Sequence, residues 1–431
     1  MSTPITRIAF HTMGCKTNFS ETSTISSEML SYGYQKVSYK DEADIYVLNT
    51  CSVTENADKE ARKLIRQARR LNPYAKIAVI GCYAQLQPDQ ISRIPGVDLI
   101  LGATEKFNLL SHLNSLNENN ESKIIKSPIN NISSFQPSFT NGERTRSYLK
   151  IQDGCNYNCS FCTIPLARGR SRSDTIKKTV EIAQNIADSG AREIVLTGIN
   201  IGDFGSVKDE NFLQLIMTLD NLKGIERFRI SSIEPNLLSD EIISFCADSN
   251  KFVPHFHIPL QSGADSILQN MKRRYNTDLY KSRVEYIKQL IPDCCIGVDV
   301  IVGYPGEEEE HFEQTKSFLE SMDISYLHVF SYSQRKDTVA ATLKNQVTKE
   351  KKEYRSKTLH ILSNKKRTEF YNQYINTIRP VLVEQSTNGK IQGFTDNYIK
   401  VNIDEDLSCR NTIVSVLLNE NKGGYMQGEI I

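Results

Sequence analysis

Cys155, Cys159 and Cys162 are the residues of this sequence with the most direct chemical meaning. They are separated by three and two residues in a polar, turn-forming loop. Three thiolates on such a loop can bind three irons of a cubane iron–sulfur cluster and leave the fourth iron open to an exogenous ligand. The alternatives are buried apolar thiols or part of a zinc site, but a zinc site would require a fourth Cys or His nearby. The spacing of this central triad favours a cluster, and the open iron favours an enzyme.

Three further cysteines, Cys15, Cys51 and Cys82, are tens of residues apart but occupy equivalent positions. Each follows an apolar, strand-like run, in the segments Met-Gly-Cys, Asn-Thr-Cys and Ile-Gly-Cys. Ligands of an open α/β sheet gather outside the carboxyl ends of its strands. Single buried cysteines are common packing residues, but three at equivalent strand ends are harder to explain in that way. We therefore treat this dispersed triad as a candidate binding site.

The elements that must position these cysteines follow from hydrophobic periodicity, which predicts an α/β protein of several domains. Residues 6–116 alternate strand-like and helix-like runs, as in an open parallel sheet. Residues 117–140 are polar and rich in Asn and Ser, which predicts a linker. Residues 141–371 contain six strand–helix units, which predict a partial (β/α)6 barrel with the central triad after its first strand. Residues 372–431 predict a small β-barrel, preceded by a connecting helix over 349–372.

Composition bears on the partners and the cellular compartment that we expect for this protein. The chain has 431 residues, with 52 Lys and Arg against 51 Asp and Glu, so its net charge does not identify a polyanionic partner. The first residues lack the apolar stretch of a signal peptide, and we expect no membrane association because no apolar run approaches the length of a membrane span. Ten cysteines in such a chain indicate a reducing compartment, so we expect a cytoplasmic protein. Four of them fit neither triad, and we expect these to be structural: Cys246, Cys294, Cys295 and Cys409.

The central triad, with Phe161 before its last cysteine, resembles the radical S-adenosylmethionine superfamily. From about Arg7 onward the chain resembles the methylthiotransferases of that superfamily, which have an amino-terminal methylthiotransferase domain, a radical core and a carboxyl-terminal TRAM barrel. The segments that carry this resemblance are Met13-Gly-Cys-Lys-Thr-Asn18, Leu48-Asn-Thr-Cys-Ser-Val-Thr54, Gly81-Cys-Tyr-Ala-Gln85, Ile151-Gln-Asp-Gly-Cys-Asn156, Ala167-Arg-Gly-Arg-Ser-Arg-Ser173 and Asp299-Val-Ile-Val-Gly-Tyr-Pro-Gly-Glu307.

The resemblance implies two 4Fe-4S clusters and S-adenosyl-L-methionine as cofactors. The central triad would bind the cluster of the radical core, and Cys15, Cys51 and Cys82 would bind an auxiliary cluster. Segments at the ends of the predicted core strands would contact S-adenosylmethionine, and glycine there allows a ligand to approach the backbone closely. The residues in question are Phe161, Gly198, Asn200, Ser232, Glu234 and Gly303.

The resemblance also implies a reaction. The reduced core cluster would pass an electron to S-adenosylmethionine and generate a 5′-deoxyadenosyl radical, which takes a hydrogen atom from an unactivated carbon of the substrate. The auxiliary cluster would supply the methylthio group. A reducing protein such as flavodoxin or ferredoxin would provide the electron.

Within the family, the chain looks most like the bacterial branch that methylthiolates C2 of N6-L-threonylcarbamoyladenosine in tRNA, next to the anticodon. Two substrates remain open for the same chemistry: isopentenyladenosine in tRNA and an aspartate of a ribosomal protein. A non-catalytic iron–sulfur protein that binds RNA is an alternative of another class. These possibilities differ in whether S-adenosylmethionine is cleaved and in which nucleoside is modified.

Basic residues beside the central triad are candidates for substrate contact. Arg168, Arg170 and Arg172 alternate just after it, and guanidinium groups suit phosphate or carboxylate recognition. Charge runs of this kind are also common on solvated surfaces. From Tyr371 onward the chain carries five Lys and Arg against seven Asp and Glu, so RNA binding by the terminal barrel would need a local patch or base stacking.

Overall fold

The computed structural model describes residues 5–52, 54–116, 122–140, 142, 145–206, 209–384, 391–404 and 410–431. Its strands are β1 (Arg7–Thr12), β2 (Gln35–Val37), β3 (Ile45–Thr50), β4 (Lys76–Gly81), β5 (Leu99–Leu101), β6 (Lys123–Ile125), β7 (Ser138–Phe139), β8 (Arg146–Lys150), β9 (Gln152–Asp153), β10 (Arg172–Ser173), β11 (Glu193–Thr197), β12 (Arg227–Ile230), β13 (His255–His257), β14 (Cys295–Val302), β15 (Tyr326–Ser331), β16 (Thr377–Val383), β17 (Ile391–Thr395), β18 (Lys400–Ile403), β19 (Ile413–Asn421) and β20 (Met426–Ile430).

Its α-helices are α1 (Lys16–Ser31), α2 (Glu55–Leu71), α3 (Cys82–Leu86), α4 (Pro88–Ser92), α5 (Leu109–Asn114), α6 (Ile164–Arg168), α7 (Ile176–Asp188), α8 (Phe212–Asp220), α9 (Asp240–Asp248), α10 (Asp265–Asn270), α11 (Thr277–Leu290), α12 (Glu309–Ser321), α13 (Val339–Thr342) and α14 (Lys349–Asn372). Within the described part of the chain, none of these helices is both long and apolar enough to cross a lipid bilayer.

The chain forms two compact units. The first consists of Met1–Asn141, Tyr148–Ser173 and Ser333–Ala341, and the second of Gly142–Ser147, Asp174–Tyr332 and Thr342–Ile431. Both cysteine triads belong to the first unit. The first unit therefore also contains the cysteine loop that directly follows the first strand of the predicted barrel.

The first unit is built on a parallel six-stranded sheet with the order β2-β1-β3-β4-β5-β6. Every residue of the central strand β3 is buried, as expected for a parallel strand that is covered on both faces. Successive side chains of β3 point to opposite faces of the sheet. Tyr46 and Leu48 belong to the apolar cluster on one face, and Ile45 and Val47 to the cluster on the other. The predicted parallel sheet is thereby confirmed.

The sheet has two edge strands that periodicity does not reveal. β2 and β6 are each three residues long and only partly buried, so neither has the apolar run that marks an interior strand. β6 lies inside the stretch 117–140 that was predicted as a linker, and it pairs in parallel with β5. Part of the predicted linker therefore completes the amino-terminal sheet.

The second unit contains parallel strands that alternate with helices. β11 pairs in parallel with β12, and β14 pairs in parallel with both β13 and β15. A parallel bridge between Phe228 and Phe252 continues the pattern from β12 towards β13. The apolar runs that predict the strands of the central region are Tyr148–Ile151, Glu193–Thr197, Arg227–Ser231, Val253–Ile258, Ile296–Val302 and Leu327–Ser331. They coincide with β8 and β11 to β15 to within about two residues, which is the usual uncertainty of strand ends.

The carboxyl-terminal strands close into a five-stranded barrel with the order β16-β17-β18-β20-β19, as predicted. Its apolar core includes Val381, Val401 and Val416, which are completely buried. Phe370 and Tyr371, at the end of α14, belong to the same apolar cluster. The predicted connecting helix is thus confirmed as α14, and its last turn anchors the barrel to the rest of the second unit.

A buried ion pair ties the barrel to β12. The Arg229 guanidinium, which is 1% exposed, donates hydrogen bonds of 2.8 and 3.3 Å to the Glu193 carboxylate and one of 3.1 Å to the Asp396 carbonyl of the barrel. We expect Glu193→Gln to lower the free energy of unfolding by about 3–5 kcal/mol, because the change leaves a buried cation without its partner. Urea denaturation of wild type and variant measures the difference.

Glu226→Gln is the matched control for this prediction. Glu226 pairs with Arg192 at 2.7 Å, but both side chains are nearly half exposed. Exposed pairs contribute about 0–1 kcal/mol, so the control should unfold close to wild type. Equal effects of the two substitutions would contradict a structural role for the Arg229–Glu193 pair.

Candidate functional site

The sheet topology brings the dispersed triad to one edge of the first unit. β1, β3 and β4 are neighbours in the sheet, and their carboxyl ends lie side by side, since Thr12 pairs with Asn49 and Thr50 with Gly81. Cys51 and Cys82 directly follow the ends of β3 and β4, and Cys15 lies three residues beyond the end of β1. Adjacent strands are about 4.8 Å apart. The three thiols are therefore gathered at neighbouring strand ends, although 67 residues separate the first from the last.

The backbone at Gly14, directly before Cys15, leaves no space for a side chain next to Cys51. Gly14 has a φ of +90°, and a Cβ at this position would lie 2.7 Å from the Cys51 Cβ and 3.0 Å from its Sγ. Glycine is the residue that adopts this conformation without strain. Cys15 is exposed, Cys51 partly exposed and Cys82 buried. A donor set of three thiols, graded from surface to interior, fits a cluster that keeps one iron accessible.

The central triad lies between β9 and α6 in the same unit. The Tyr157 backbone N–H donates to the Cys155 Sγ at 3.3 Å, and the Ile164 N–H donates to the Cys162 Sγ at 3.4 Å. Hydrogen bonds to sulfur favour the thiolate, which is the form that binds iron. The Cys155 N–H donates to the Gly169 carbonyl at 3.0 Å and closes the loop. This loop fits the cluster that its spacing predicts.

Packing between helices α3 and α6 connects the segments that carry the two triads inside the first unit. α3, which begins at Cys82, packs against α6, which begins two residues after Cys162. β9 and β10 form an antiparallel pair on either side of the central triad, with Asp153 opposite Arg172. The two cysteine loops are therefore held by one packed substructure.

Glu21 is the centre of a buried charge network between these loops. Its carboxylate accepts hydrogen bonds from Lys106 Nζ at 2.5 Å, Lys150 Nζ at 3.0 Å and the Arg168 guanidinium at 3.0 and 3.1 Å. Arg168 also donates to the Asn18 Oδ1 at 2.6 Å. Glu21 and Asn18 lie on α1, whose amino-terminal cap is Cys15. The network thus joins the helix after Cys15 to the helix after Cys162.

Asp153 is the second carboxylate of the network, two residues before Cys155. It accepts hydrogen bonds from Arg168 at 2.8 Å and from Arg172 at 2.9 Å, and Lys150 Nζ lies 3.6 Å from it. Arg172 also donates to the Arg168 carbonyl at 2.6 Å. These contacts fix the backbone on both sides of the central triad.

The charges of this network affect the pKa of Glu21 and also that of Cys82 in the dispersed triad. Burial alone would raise the pKa of Glu21, but Arg168, Lys106 and Lys150 hold it well below its usual range. Burial raises the pKa of the Cys82 thiol, while Arg168 and Lys106 act in the opposite direction. Two of the three cations that neutralise Glu21 therefore also oppose the rise that burial causes in the pKa of the Cys82 thiol.

The three arginines predicted to contact substrate have different positions. Arg168 is 2% and Arg172 is 8% exposed, and both guanidinium groups are engaged with the carboxylates described above. Arg170 is exposed. The arginine that can meet an external partner without breaking a buried ion pair is therefore Arg170.

Five of the residues predicted to contact S-adenosylmethionine lie in the second unit at carboxyl ends of parallel strands. Gly198 and Asn200 follow β11, Ser232 and Glu234 follow β12, and Gly303 follows β14. The sixth, Phe161, lies in the central loop of the first unit. Carboxyl strand ends are where ligands bind in α/β folds of this kind.

Contacts fix the conformation of two of these residues, Gly303 and Glu234. Gly303 has a φ of +76°, and a Cβ there would lie 2.3 Å from the Lys352 Cγ, so this turn requires glycine. The Gly303 N–H donates to the Glu307 carboxylate at 2.9 Å. The Glu234 carboxylate forms an ion pair with Arg273, which fixes its orientation after β12.

Sequence reasoning missed two groups of polar residues. The first is the Glu21 network, for which the available signal was α1 itself, a helix that follows Cys15 and buries mostly polar residues. The second consists of His257, Asp299 and His328, on the adjacent strands β13, β14 and β15. Their ligand atoms all lie within 4.8 Å of one another, and His257 Nε2 is 2.9 Å from Asp299 Oδ1. No local pattern signals this group, because its three residues come from three separate segments that only strand pairing brings together.

The cysteines outside the two triads occupy buried positions where the structure describes them. Burial raises the pKa of the Cys246 and Cys294 thiols, and that of Cys295 to about 12. Thiols of this kind stay protonated and unreactive, which agrees with the structural role expected from sequence. Cys409 lies outside the described residues.

Family profiles match the two regions that carry the triads. The family described as "Uncharacterized protein family UPF0004" matches residues 7–102, which include the dispersed triad. The "Radical SAM superfamily" matches residues 149–319, which include the central triad. Among solved structures, the radical S-adenosylmethionine methyltransferase TsrM from Kitasatospora setae has a TM-score of 0.56 at 12% identity, over 78% of this chain and 77% of that chain. This likeness concerns the fold.

Curated relatives align over nearly the whole chain. Threonylcarbamoyladenosine tRNA methylthiotransferase MtaB of Bacillus subtilis is 39% identical over 98% of this chain and 96% of its own length. The protein of the same name from Aquifex aeolicus is 38% identical over 92% of this chain and 96% of its own length. The tRNA-2-methylthio-N(6)-dimethylallyladenosine synthase of Endomicrobium trichonymphae is 33% identical over 97% of this chain and 99% of its own length. This chain therefore belongs to the radical S-adenosylmethionine methylthiotransferase family.

Proposed function

We propose that this chain methylthiolates C2 of N6-L-threonylcarbamoyladenosine in tRNA, at the adenosine next to the anticodon. The observation that carries the proposal is the presence of two cysteine triads in one compact unit, each fit to bind a cluster with an open iron. The choice of nucleoside follows the MtaB proteins of B. subtilis and A. aeolicus, which are 39% and 38% identical to this chain, against 33% for the dimethylallyladenosine synthase of E. trichonymphae.

In this proposal each triad binds a 4Fe-4S cluster. Cys155, Cys159 and Cys162 would bind the cluster of the radical core, and the dispersed triad would bind the auxiliary cluster. When bound, the clusters and S-adenosylmethionine supply the radical and the methylthio group. The protein's part is to hold these groups at fixed positions, to keep the six sulfurs deprotonated and to orient the substrate.

The chain's own residues suit those tasks. Backbone N–H groups directed at the Cys155 and Cys162 sulfurs favour their thiolates. Phe161 and the strand-end residues Gly198, Asn200, Ser232, Glu234 and Gly303 are proposed to bind S-adenosylmethionine. Because Arg168 and Arg172 are committed to buried carboxylates, we assign the substrate contact predicted for this segment to Arg170.

The proposed partners follow from the same chemistry. tRNA is the macromolecular substrate, and a one-electron donor such as flavodoxin or ferredoxin would reduce the core cluster. We therefore place the protein in the cytoplasm, where tRNA and such donors are found. The amino-terminal methylthiotransferase domain (6–116), linker (117–140), radical core (141–371) and TRAM barrel (372–431) remain the proposed functional division of the chain.

The modified nucleosides of total tRNA test the substrate assignment. In a deletion strain we expect 2-methylthio-threonylcarbamoyladenosine to disappear and threonylcarbamoyladenosine to increase correspondingly, since the preceding modification is untouched. Mass spectrometry of digested tRNA measures both. The deletion strain carrying the wild-type gene on a plasmid is the control and should regain the methylthio nucleoside.

A second candidate substrate is isopentenyladenosine in tRNA. It is favoured by the alignment with a dimethylallyladenosine synthase over 97% of this chain. Loss of 2-methylthio-isopentenyladenosine with threonylcarbamoyladenosine modification intact would establish this alternative and reject our assignment. If both nucleosides stay intact, the ribosomal aspartate becomes the substrate to examine, by mass spectrometry of ribosomal proteins.

A further inference from the structure

Six buried ionisable side chains of the first unit carry an unequal number of positive and negative charges. None is more than 8% exposed. They are Glu21, Lys106, Lys150, Asp153, Arg168 and Arg172. In their ordinary ionised forms, four cations face two carboxylates, so this network carries two more positive than negative charges.

An excess of buried positive charge is unfavourable unless further negative charge lies nearby. Arg168, one of the four cations, has a hydrogen-bond donor that the two carboxylates do not use. Its terminal nitrogens donate to Glu21, Asp153 and Asn18, but within the described residues its Nε has no hydrogen-bond partner. The network is therefore suited to a neighbouring anionic group in addition to its own carboxylates.

The dispersed triad is the place for that anion. Arg168 is the last residue of α6, which packs against α3, and α3 begins at Cys82. Glu21 lies on α1, which begins directly after Cys15. In keeping with this packing, the charge of Arg168 acts on both Cys15 and Cys82. A cubane held by three thiolates is anionic, because the thiolates outweigh the charge of the oxidised core, and reduction makes it more so. Net charge around a cluster is one of the properties that set its reduction potential.

We propose that the net positive charge of the Glu21 network balances the negative charge of the cluster held by Cys15, Cys51 and Cys82. The Glu21 carboxylate limits how large that net positive charge is. The network favours the reduced, more negative form of that cluster, and each charge removed from it shifts the reduction potential. The residues act as positioning and electrostatic groups that make no contact with substrate. This inference rests on the cluster assignment in the proposed function.

Variants with opposite changes of charge test the proposal. In a Cys155→Ala background, which retains only the dispersed triad, Glu21→Gln removes a negative charge and Lys106→Met removes a positive one. We expect Glu21→Gln to shift the midpoint potential of the remaining cluster upward and Lys106→Met to shift it downward. Redox titration followed by electron paramagnetic resonance measures both, without any assay of activity.

Two control variants separate the effect of charge from the effect of packing. Lys106→Arg keeps the cation and should restore a potential close to that of the background protein. Lys123→Met removes a cation from an exposed position of the same unit, where solvent screens the charge, and should leave the potential unchanged. If Glu21→Gln does not fold, the comparison of Lys106→Met with Lys106→Arg still decides the question.

The possible results have distinct meanings. Shifts of opposite sign support the proposal, whereas equal potentials or shifts in the same direction overturn it, because a purely structural role predicts no dependence on the sign of the charge. A Cys155→Ala protein without any cluster would overturn the auxiliary-cluster assignment and this inference together. A bound cluster with unshifted potentials would overturn this inference alone.

Discussion

Cys155→Ala is expected to abolish the release of 5′-deoxyadenosine from S-adenosylmethionine after reduction with dithionite. Two remaining thiolates cannot hold a cubane with one open iron, and the radical step depends on that iron. The reconstituted variant should contain about half of the wild-type iron, because the dispersed triad is unchanged. Chromatographic detection of 5′-deoxyadenosine and an iron assay measure the two effects.

Cys246→Ala is the matched control for this variant. Cys246 is a buried thiol of the second unit, outside both triads, so its loss should leave iron content and cleavage of S-adenosylmethionine near wild type. Full iron content in Cys155→Ala would reject the ligand role of Cys155. Absence of 5′-deoxyadenosine from the wild-type protein would instead favour the non-catalytic iron–sulfur RNA-binding alternative.

Cys51→Ala is expected to separate radical formation from sulfur transfer. The central loop keeps its three thiols, so 5′-deoxyadenosine should still be released after reduction. Because the auxiliary cluster needs all three strand-end thiolates, the variant should lose about half of the iron and transfer no methylthio group to tRNA. The nucleoside profile of tRNA incubated with the variant measures the transfer.

The opposite behaviour of the two cysteine variants is the strongest test of a two-cluster enzyme. If Cys51→Ala retained full iron and wild-type methylthiolation, Cys51 would be a packing residue and the dispersed triad would have no catalytic role. If Cys51→Ala also lost all 5′-deoxyadenosine release, the two triads would not act independently. Cys246→Ala again serves as the control for removal of one thiol.

Much of the architecture could be predicted because its signals are local. The strands of the first and second units are short apolar runs separated by helical patterns, and their positions matched to within a few residues. α14 was predicted from the absence of any helix breaker over its whole length. The edge strands β2 and β6 escaped prediction, since three partly exposed residues leave no periodicity to detect.

The role of the arginines could not be read from sequence. Arg168, Arg170 and Arg172 alternate as if to form one basic surface, and a charge run gives no sign of which members are buried. In the structure Arg168 and Arg172 turn inward to Glu21 and Asp153, while Arg170 remains exposed. Burial of a charge depends on whether a partner lies within reach, and that partner can come from any part of the chain.

The sequence by itself determined the two cysteine triads. The central triad can be recognised in the sequence because its three ligands share one short loop. The dispersed triad can be recognised because parallel strands bring their carboxyl ends to one edge of the sheet. Only the tertiary structure decided how the triads are joined and what charge surrounds them. Glu21 and Arg168 are 147 residues apart in the chain, and packing, which no local pattern encodes, brings them together beside both cysteine loops.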